Sequence, residues 1–378
     1  VGDAYNAEGY WSILGVRGFV IDNRFNYRRD GLPINAETAL PLANVERLEL
    51  LKGTSGIQAG TSAPGGLVNL VVKRPDADLR SARVELREGG GLGGAVDLGQ
   101  RFGAARQFGL RLNLAYEHLD PPTRDARGRR HQLALAGDWR VAPGSRIEAE
   151  FDTAFQRQPS VPGFSLLGDA VPGARAIDPR TNLNSQPWSQ PVEFRGRTAS
   201  LRWTQALAAD WRFVAHSMTQ RLHTDDRIAF PFGCYDAAAD VYYADRYCPD
   251  GTFDLYDFRS DNERRRSDAL DLHVEGSATT GALRHTLAAG VLVTRFDARF
   301  DRQAYNYTGT GRIDAGLVTD AAPELTDENT LRDERSTELY LRDRVDLARD
   351  WRLWAGVRHT RLARDSVRTD GSRPTSYD

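Results

Sequence analysis

Long stretches of this chain alternate apolar and charged residues with period two, which restricts them to antiparallel sheet with two chemically different faces. From Gln107 to His118, Phe108, Leu110, Leu112, Leu114 and Tyr116 fall on one face; Gln107, Arg111, Asn113 and Glu117 fall on the other. From Arg146 to Gln156, Ile147, Ala149, Phe151 and Phe155 oppose Arg146, Glu148, Glu150 and Asp152. Between Thr198 and Leu207 the apolar set is Ala199, Leu201, Trp203 and Leu207. Eleven such windows are expected as strands: 79–88, 94–102, 107–119, 129–141, 145–157, 193–207, 210–223, 263–277, 283–299, 334–347 and 351–365.

A soluble sheet alternates in the same way, so the connections carry the distinction. Gly103–Arg106, Ala142–Gly144, Ala208–Ala209, Ala278–Ala282 and Ala348–Asp350 are short, whereas Leu119–Gly128, Gln158–Val192, Thr224–Asn262 and Phe300–Asp333 are long. Short turns on one rim and long loops on the other describe an outer-membrane barrel. Only the Gly89–Gly94 connection is short where a long one is due. Mean hydropathy is −0.52, which speaks against apolar transmembrane helices but not against spanning strands. Trp139, Trp203, Trp211, Trp351 and Trp354 lie near strand ends, as an interfacial aromatic belt requires.

A formal charge of −2 gives no electrostatic argument for nucleic acid. Arginine far outnumbers lysine, and its planar fork suits polar interiors and anionic ligands. Cys234 and Cys248 bracket one polar, aromatic-rich segment, which suggests a disulfide in an oxidising compartment; zinc and two free thiols are the alternatives. The chain begins at Val1 and its only methionine is Met218, so it is expected to be cut at both ends.

Residues 1–78 differ from the rest. They are rich in Gly and Asn, with short apolar runs at Val45–Leu51 and Leu67–Val72, and read as a compact α/β unit with a one-turn helix at Pro41–Asn44. Arg74-Pro75-Asp76 reads as a linker into the first long strand. Gly89–Gly94 satisfies G-x-G-x-x-G, but a strand pattern follows it where a dinucleotide fold needs a helix. The Gly53–Gly66 segment lacks the Gly-Lys-[Ser/Thr] end of a phosphate loop. The seven histidines are scattered, and no nucleophile elbow appears, so no catalytic constellation is expected and the chain is not read as an enzyme.

Val16-Arg17-Gly18-Phe19, Asp30-Gly31-Leu32, Val45 to Gly53, Gly60, and Ala63 to Pro75, taken in this order and spacing, closely resemble the plug of TonB-dependent receptors of the ferric-siderophore branch. The match covers about residues 9–78, and Asp178 to Leu183 resembles a segment common in siderophore receptors. Thr54 stands where the family usually has proline, and the TonB box is absent.

The resemblance implies a membrane all-β fold: an antiparallel transmembrane β-barrel, here about 11 of 22 strands, around a small α/β plug domain. Residues 1–78 would be the plug and 79–378 the N-terminal half of the barrel. It further implies import of a ferric siderophore across the bacterial outer membrane. The partners would be TonB with the ExbB–ExbD complex and outer-membrane lipid. No resident cofactor or metal is expected, since iron would travel only within the siderophore complex.

For ligand contact the expected residues are Arg17, Asn26, Tyr27 and Asn35 in plug loops, with Trp188, Phe232, Tyr235, Tyr242 and Tyr243 as aromatic walls from the long loops. Glu46, Arg47, Glu49 and Lys52 alternate by side and are expected to pair with lumen charges. Glycines 53, 56, 60, 65 and 66 would permit tight turns. Haem, cobalamin or a carbohydrate is the alternative cargo; the absence of histidine from residues 1–78 counts against haem. A passive porin or adhesin-like barrel would need no plug.

Overall fold

The computed structural model describes residues 8–53, 65–87, 89–173, 175 and 177–378. Two bodies follow one another along the chain. Between Gly15 and Val72 six short strands form a small unit: β1 (Gly15–Val16) and β2 (Phe19–Val20) make a hairpin. Then β3 (Tyr27–Arg29), β4 (Leu32–Pro33), β5 (Val45–Lys52) and β6 (Gly66–Val72) make a four-stranded sheet in the order β4-β3-β6-β5. Within it β3 and β6 run parallel, and the other pairs are antiparallel. Asp30 and Gly31 both take positive φ (46° and 88°), which closes the two-residue β3–β4 turn.

No helix occurs among the described residues, so the plug is a β unit and the expected α/β character is corrected. At Pro41–Asn44, where one helical turn was expected, the chain makes a single turn in which Val45 N–H donates to Leu42 O at 3.0 Å. Four residues yield too few helical hydrogen bonds to offset nucleation. The neighbouring sheet supplies partners instead: Gln132 Oε1 accepts from Ala43 N–H at 3.0 Å, and Gln132 Nε2 donates to Asn44 Oδ1 at 2.7 Å. Gly56, Gly60, Pro64 and the Thr54 departure lie outside the described residues.

The second body is one antiparallel sheet. Its strands are β7 (Leu79–Leu86), β8 (Leu92–Phe102), β9 (Phe108–Leu119), β10 (Gly128–Ala142), β11 (Ser145–Gln158), β12 (Val192–Ala208) and β13 (Trp211–Pro231). After a small hairpin of β14 (Cys234–Asp236) and β15 (Val241–Tyr243), it continues with β16 (Thr252–Thr280), β17 (Leu283–Arg299), β18 (Ala304–Arg312), β19 (Thr330–Ala348), β20 (Trp351–Arg368) and β21 (Thr375–Tyr377). The strands pair in the order β7-β8-β9-β10-β11-β12-β13-β16-β17-β19-β20-β21, with β18 branching from β16 and β14–β15 standing apart as their own hairpin. The eleven expected strands are all present. The sheet gains β18 and β21, and β13 and β16 run past their expected ends into the loop region.

The period-two pattern becomes two faces. One face touches the plug: Met218, Ala269, Leu292 and Tyr340 of the sheet share a buried core with Ile21, Tyr27, Leu32, Ile34, Ala36, Val68 and Leu70 of the plug. The other face carries exposed Leu114, Leu135, Phe151, Leu201, Leu270, Val293 and Leu339. Near the short turns that outer face holds an aromatic row, with ring centroids 5.6 Å apart for Phe102–Phe108, 6.0 Å for Phe108–Trp139 and 5.7 Å for Trp203–Phe213. Buried charge inside and an apolar band with an aromatic girdle outside match a membrane-spanning barrel wall.

Candidate functional site

The charged face of the sheet is where the plug is held, and the ion pairs form tiers along it. Nearest the short turns, Arg101 bridges Asp138 at 2.8 Å and donates from Nη1 to Pro75 O at 2.8 Å, anchoring the linker. A Cβ at Gly109 would lie 2.2 Å from Asp138 Oδ1 and 2.7 Å from Arg101 Nη1, so glycine there leaves the space this bridge occupies. One tier up, Lys73 Nζ lies 2.9 Å from Asp97 Oδ2 and donates to Ala43 O at 2.6 Å.

The most enclosed tier faces β11. Its lumen side presents Glu148, Glu150 and Asp152 two residues apart, a spacing that period two fixes. Arg29 Nε lies 3.0 Å from Glu150 Oε1 and its Nη2 2.6 Å from Asp152 Oδ2. Arg74 pairs with Asp30 and approaches Glu150 at 3.6 Å and Glu148 at 3.8 Å. Burial works against the charge on Arg29, but Asp152 and Glu150 outweigh it and hold the guanidinium above its ordinary value. Arg28, on the same short strand, donates to the carbonyls of Phe25 and Tyr27, and burial pushes it down to about 10.

Further toward the long loops, Asn35 N–H donates to Gln220 Oε1 at 2.9 Å and Gln220 Nε2 donates back to Asn35 O at 3.1 Å. Arg265 Nε lies 2.7 Å from Glu37 Oε2, and its guanidinium stacks over Trp11 at 5.6 Å and Phe300 at 4.9 Å. Tyr10 sits in the same layer. Burial, then Asp226 and Glu263, keep its phenol well above the usual range, so it stays protonated.

Two large cavities flank the plug. One of 860 Å³ lies toward the short turns, with Arg28, Arg146, Arg202, Arg212, His216 and Arg342 among its walls. The other, 570 Å³, opens toward the long loops between Tyr10, Trp11, Leu40, Arg87, His118 and Arg130. Its size suits a small-molecule ligand, and it combines aromatic walls with a few charged groups. Glu117 faces it, held by Arg87 and by Arg130 at 2.5 Å.

The long loops above are structured. Cys234 and Cys248 form the disulfide, with Cα atoms 5.5 Å apart, at the base of the β14–β15 hairpin. Tyr247 exchanges backbone hydrogen bonds with Leu166 and Gly168, at 2.9 and 2.7 Å. Trp188 Nε1 donates to Thr319 O at 3.0 Å and Gln186 Oε1 accepts from Thr319 N–H at 2.9 Å. A second apolar cluster of Leu183, Ala229, Tyr247, Phe253 and Leu255 binds these segments together.

The residues expected to contact ligand are dispersed. Arg17 is exposed at the β1–β2 turn. Asn26 is fully buried and donates from Nδ2 to Gly66 O at 2.5 Å. Tyr27 belongs to the core and lines one side of the 570 Å³ cavity, while Asn35 is tied to Gln220. Phe232 stacks on Phe230 at 6.0 Å, Tyr235 O–H donates to Asp240, and Arg246 lies over the Tyr243 ring at 5.5 Å. Tyr242 is exposed on the same hairpin as Tyr235. Of the four β5 residues, Arg47 pairs with Glu49 at 2.8 Å, Glu49 also accepts from Asn69, and Glu46 and Lys52 are exposed. The Arg47 and Glu49 pairs stay within the plug, whereas Glu46 lies near enough to the wall to act electrostatically on Arg111. The residues that reach the wall, Arg29, Glu37, Asn44, Lys73 and Arg74, lie in or beside turns, where no periodicity marks them.

Residues 2–67 match the family model described as TonB-dependent Receptor Plug Domain. The ferrichrome receptor FcuA of Yersinia enterocolitica is 33% identical over 165 residues, covering 39% of this chain and 21% of that receptor. The metal-pseudopaline receptor CntO of Pseudomonas aeruginosa (strain UCBPP-PA14) is 25% identical over 334 residues, covering 85% of this chain and 44% of that one. Among solved structures, BauA, the ferric preacinetobactin receptor of Acinetobacter baumannii, superposes with a TM-score of 0.79 at 19% identity, over 99% of this chain and 55% of its own. The chain thus spans between 21% and 55% of the length of these three proteins.

Proposed function

We propose, taking the chain as the plug and partial barrel of a TonB-dependent receptor, that the whole protein imports a ferric siderophore across the bacterial outer membrane. Residues 1–78 serve as the plug and residues 79–378 as barrel wall. The observation that carries this reading is the plug itself. A folded unit is held against the charged face of a membrane-type sheet by tiers of buried ion pairs, Arg29 with Glu150 and Asp152 foremost. A passive pore has no use for such a stopper, whereas an importer that opens under an external pull does. The protein is accordingly a receptor rather than an enzyme, and TonB with ExbB–ExbD is its energy source.

Ligand contact is assigned to the long-loop side, in the 570 Å³ cavity under Tyr10 and Trp11. Arg17, Trp188, Phe232 and Tyr243 are further candidates, with Tyr235 and Tyr242 on the disulfide-closed hairpin. Two relatives are receptors for ferrichrome and for metal-pseudopaline, which indicates metal chelates as the cargo class. The test is chelate-dependent growth of a receptor-deleted strain carrying the full-length gene. Growth on at least one ferric siderophore is expected, and failure on every chelate offered would overturn the proposal.

A further inference from the structure

The 860 Å³ cavity on the short-turn side of the plug carries open hydrogen-bonding capacity of one kind. A single lumen row crosses its wall. The register sets Glu148 of β11 opposite Arg202 of β12, Arg202 opposite His216 of β13, and His216 opposite Asp271 of β16. Arg202 Nη2 donates to the plug at Asp30 O over 3.1 Å, and it lies 3.2 Å from His216 Nδ1. A guanidinium can only donate, so Nδ1 accepts and the ring proton sits on Nε2. His216 is 4% exposed, and its Nε2 has no hydrogen-bond partner among the described residues. A buried donor without an acceptor is costly, so this N–H calls for an acceptor in the cavity that His216 lines.

The carboxylates around the cavity are already met. Asp271 accepts from Tyr340 O–H at 2.8 Å and faces His273 Nδ1 at 2.5 Å. Gly290 clears the way for that reach, since a Cβ there would lie 2.8 Å from the Tyr340 oxygen. Glu275 pairs with Arg212 at 2.7 Å, Glu148 lies 3.5 Å from Arg146, and Asp30 pairs with Arg74. Glu49 is held by Arg47 and Asn69. Arg202, by contrast, has no carboxylate partner among the described residues, only Asp30 O and the His216 ring. What stays open is donor capacity: the His216 N–H now, and the Arg202 hydrogens whenever the β3–β4 turn withdraws from the wall.

Position gives these donors a purpose. The 570 Å³ cavity lies toward the long loops and this one toward the short turns, so cargo drawn past the plug meets this cavity second. We propose that it is an inner binding station for the cargo, in which Arg202 and His216 take acceptor oxygens of the chelate after it leaves the outer site. The ligand class is an oxygen-rich metal chelate; a cationic ligand finds no open carboxylate here. The cavity's volume lies within the usual range for small-molecule sites. While the plug is seated, Asp30 O occupies Arg202. As the turn withdraws, the same hydrogens pass to the cargo, so capture coincides with opening. The inference rests on the importer reading proposed above.

The test measures uptake of labelled iron by cells carrying the full-length receptor. Iron is supplied as a ferric trihydroxamate, tricatecholate or carboxylate chelate, whichever the natural receptor imports, and binding of the same chelate to de-energised cells is measured alongside. H216L is expected to keep the binding constant within twofold and to lower the maximal uptake rate about five- to tenfold, the loss of one hydrogen bond to the cargo. H216Q returns an N–H donor to the site and should recover most of the rate. Hydrogen exchange at the amides of Asp30–Leu32 should stay within twofold in both variants, which separates a lost station from a loosened plug. An H216L receptor that imports at the natural rate overturns the proposal. So does a loss of rate that H216Q shares in full, or one accompanied by faster plug exchange. In each of these cases a natural receptor that imports leaves the importer reading standing; a natural receptor that imports no chelate overturns that reading and this inference with it.

Discussion

Replacing Arg29 by methionine should loosen the plug more than any other single change in its contact with the wall. The Arg29 side chain is 4% exposed, Glu150 3% and Asp152 2%. Removing one partner of a buried pair costs about 3–5 kcal/mol, because the other charge is left uncompensated. Here Arg74 remains within 3.6 Å of Glu150, so the uncompensated group is chiefly Asp152 and the lower end of the range applies, about 3 kcal/mol. At 1.4 kcal/mol per tenfold, that is roughly a hundredfold increase in the population with β3 detached. Hydrogen exchange at the amides of Tyr27–Arg29 in the full-length receptor reads this opening directly. R29M/D152L removes both charges together, and replacing a buried pair with apolar groups of similar size is often neutral, so most of the loss should be recovered. An R29M exchange rate within twofold of the natural protein would refute the reasoning. So would a double variant no better than R29M.

Other changes probe separate layers of the same argument. G109A places a methyl group where the Arg101–Asp138 bridge sits and should cost about 1–3 kcal/mol, seen as a lower temperature for loss of the heat-modifiable form. C234S/C248S opens a short loop whose closure is worth about 3 kcal/mol, so proteolysis should appear within residues 235–247 while the wall stays intact; cleavage elsewhere would contradict this. Asp22 is held below its ordinary value of 3.8: burial opposes this, and hydrogen bonds from Arg24 outweigh burial. Its stabilisation is therefore present above that value and lost as pH falls through the lower folded one. D22N should weaken the plug at neutral pH, and the difference from the natural protein, followed by plug exchange rates, should vanish in acid.

The wall was legible because membrane and lumen impose opposite chemistries on alternate residues, and period two records that along every strand. The expected boundaries fail where this contrast fades. Beyond Thr224 the sequence Asp225-Asp226-Arg227 reads as loop, yet β13 continues to Pro231. The strand persists because β16 pairs with it from Ser260 to Leu255 across a bulge at Asn262, whose φ is 61°. Above the membrane both faces can be polar or be covered by loops, so alternation is no longer required. Asp257 is buried under Ala322 N–H on one face while Tyr256 stacks on Tyr305 at 4.5 Å on the other.

The plug was legible as a motif series and illegible as a set of contacts, for a physical reason. A strand announces its faces by spacing, so Glu46, Arg47, Glu49 and Lys52 stand out in the sequence as candidate partners. Contact between two separately folded bodies is made by whichever surface meets the other, and here turns and chain ends meet the wall: Asn35 and Glu37 after β4, Asn44 before β5, Lys73 and Arg74 after β6. The wall half of each contact does carry a signal. Glu148, Glu150 and Asp152 on β11 place three acids on one lumen face, which a sheet accepts only when cations lie opposite. Arg29 and Arg74 supply them. Unbalanced charge at a fixed register is thus the sequence signal that points to a partner, here the plug cations that meet the acidic row of β11.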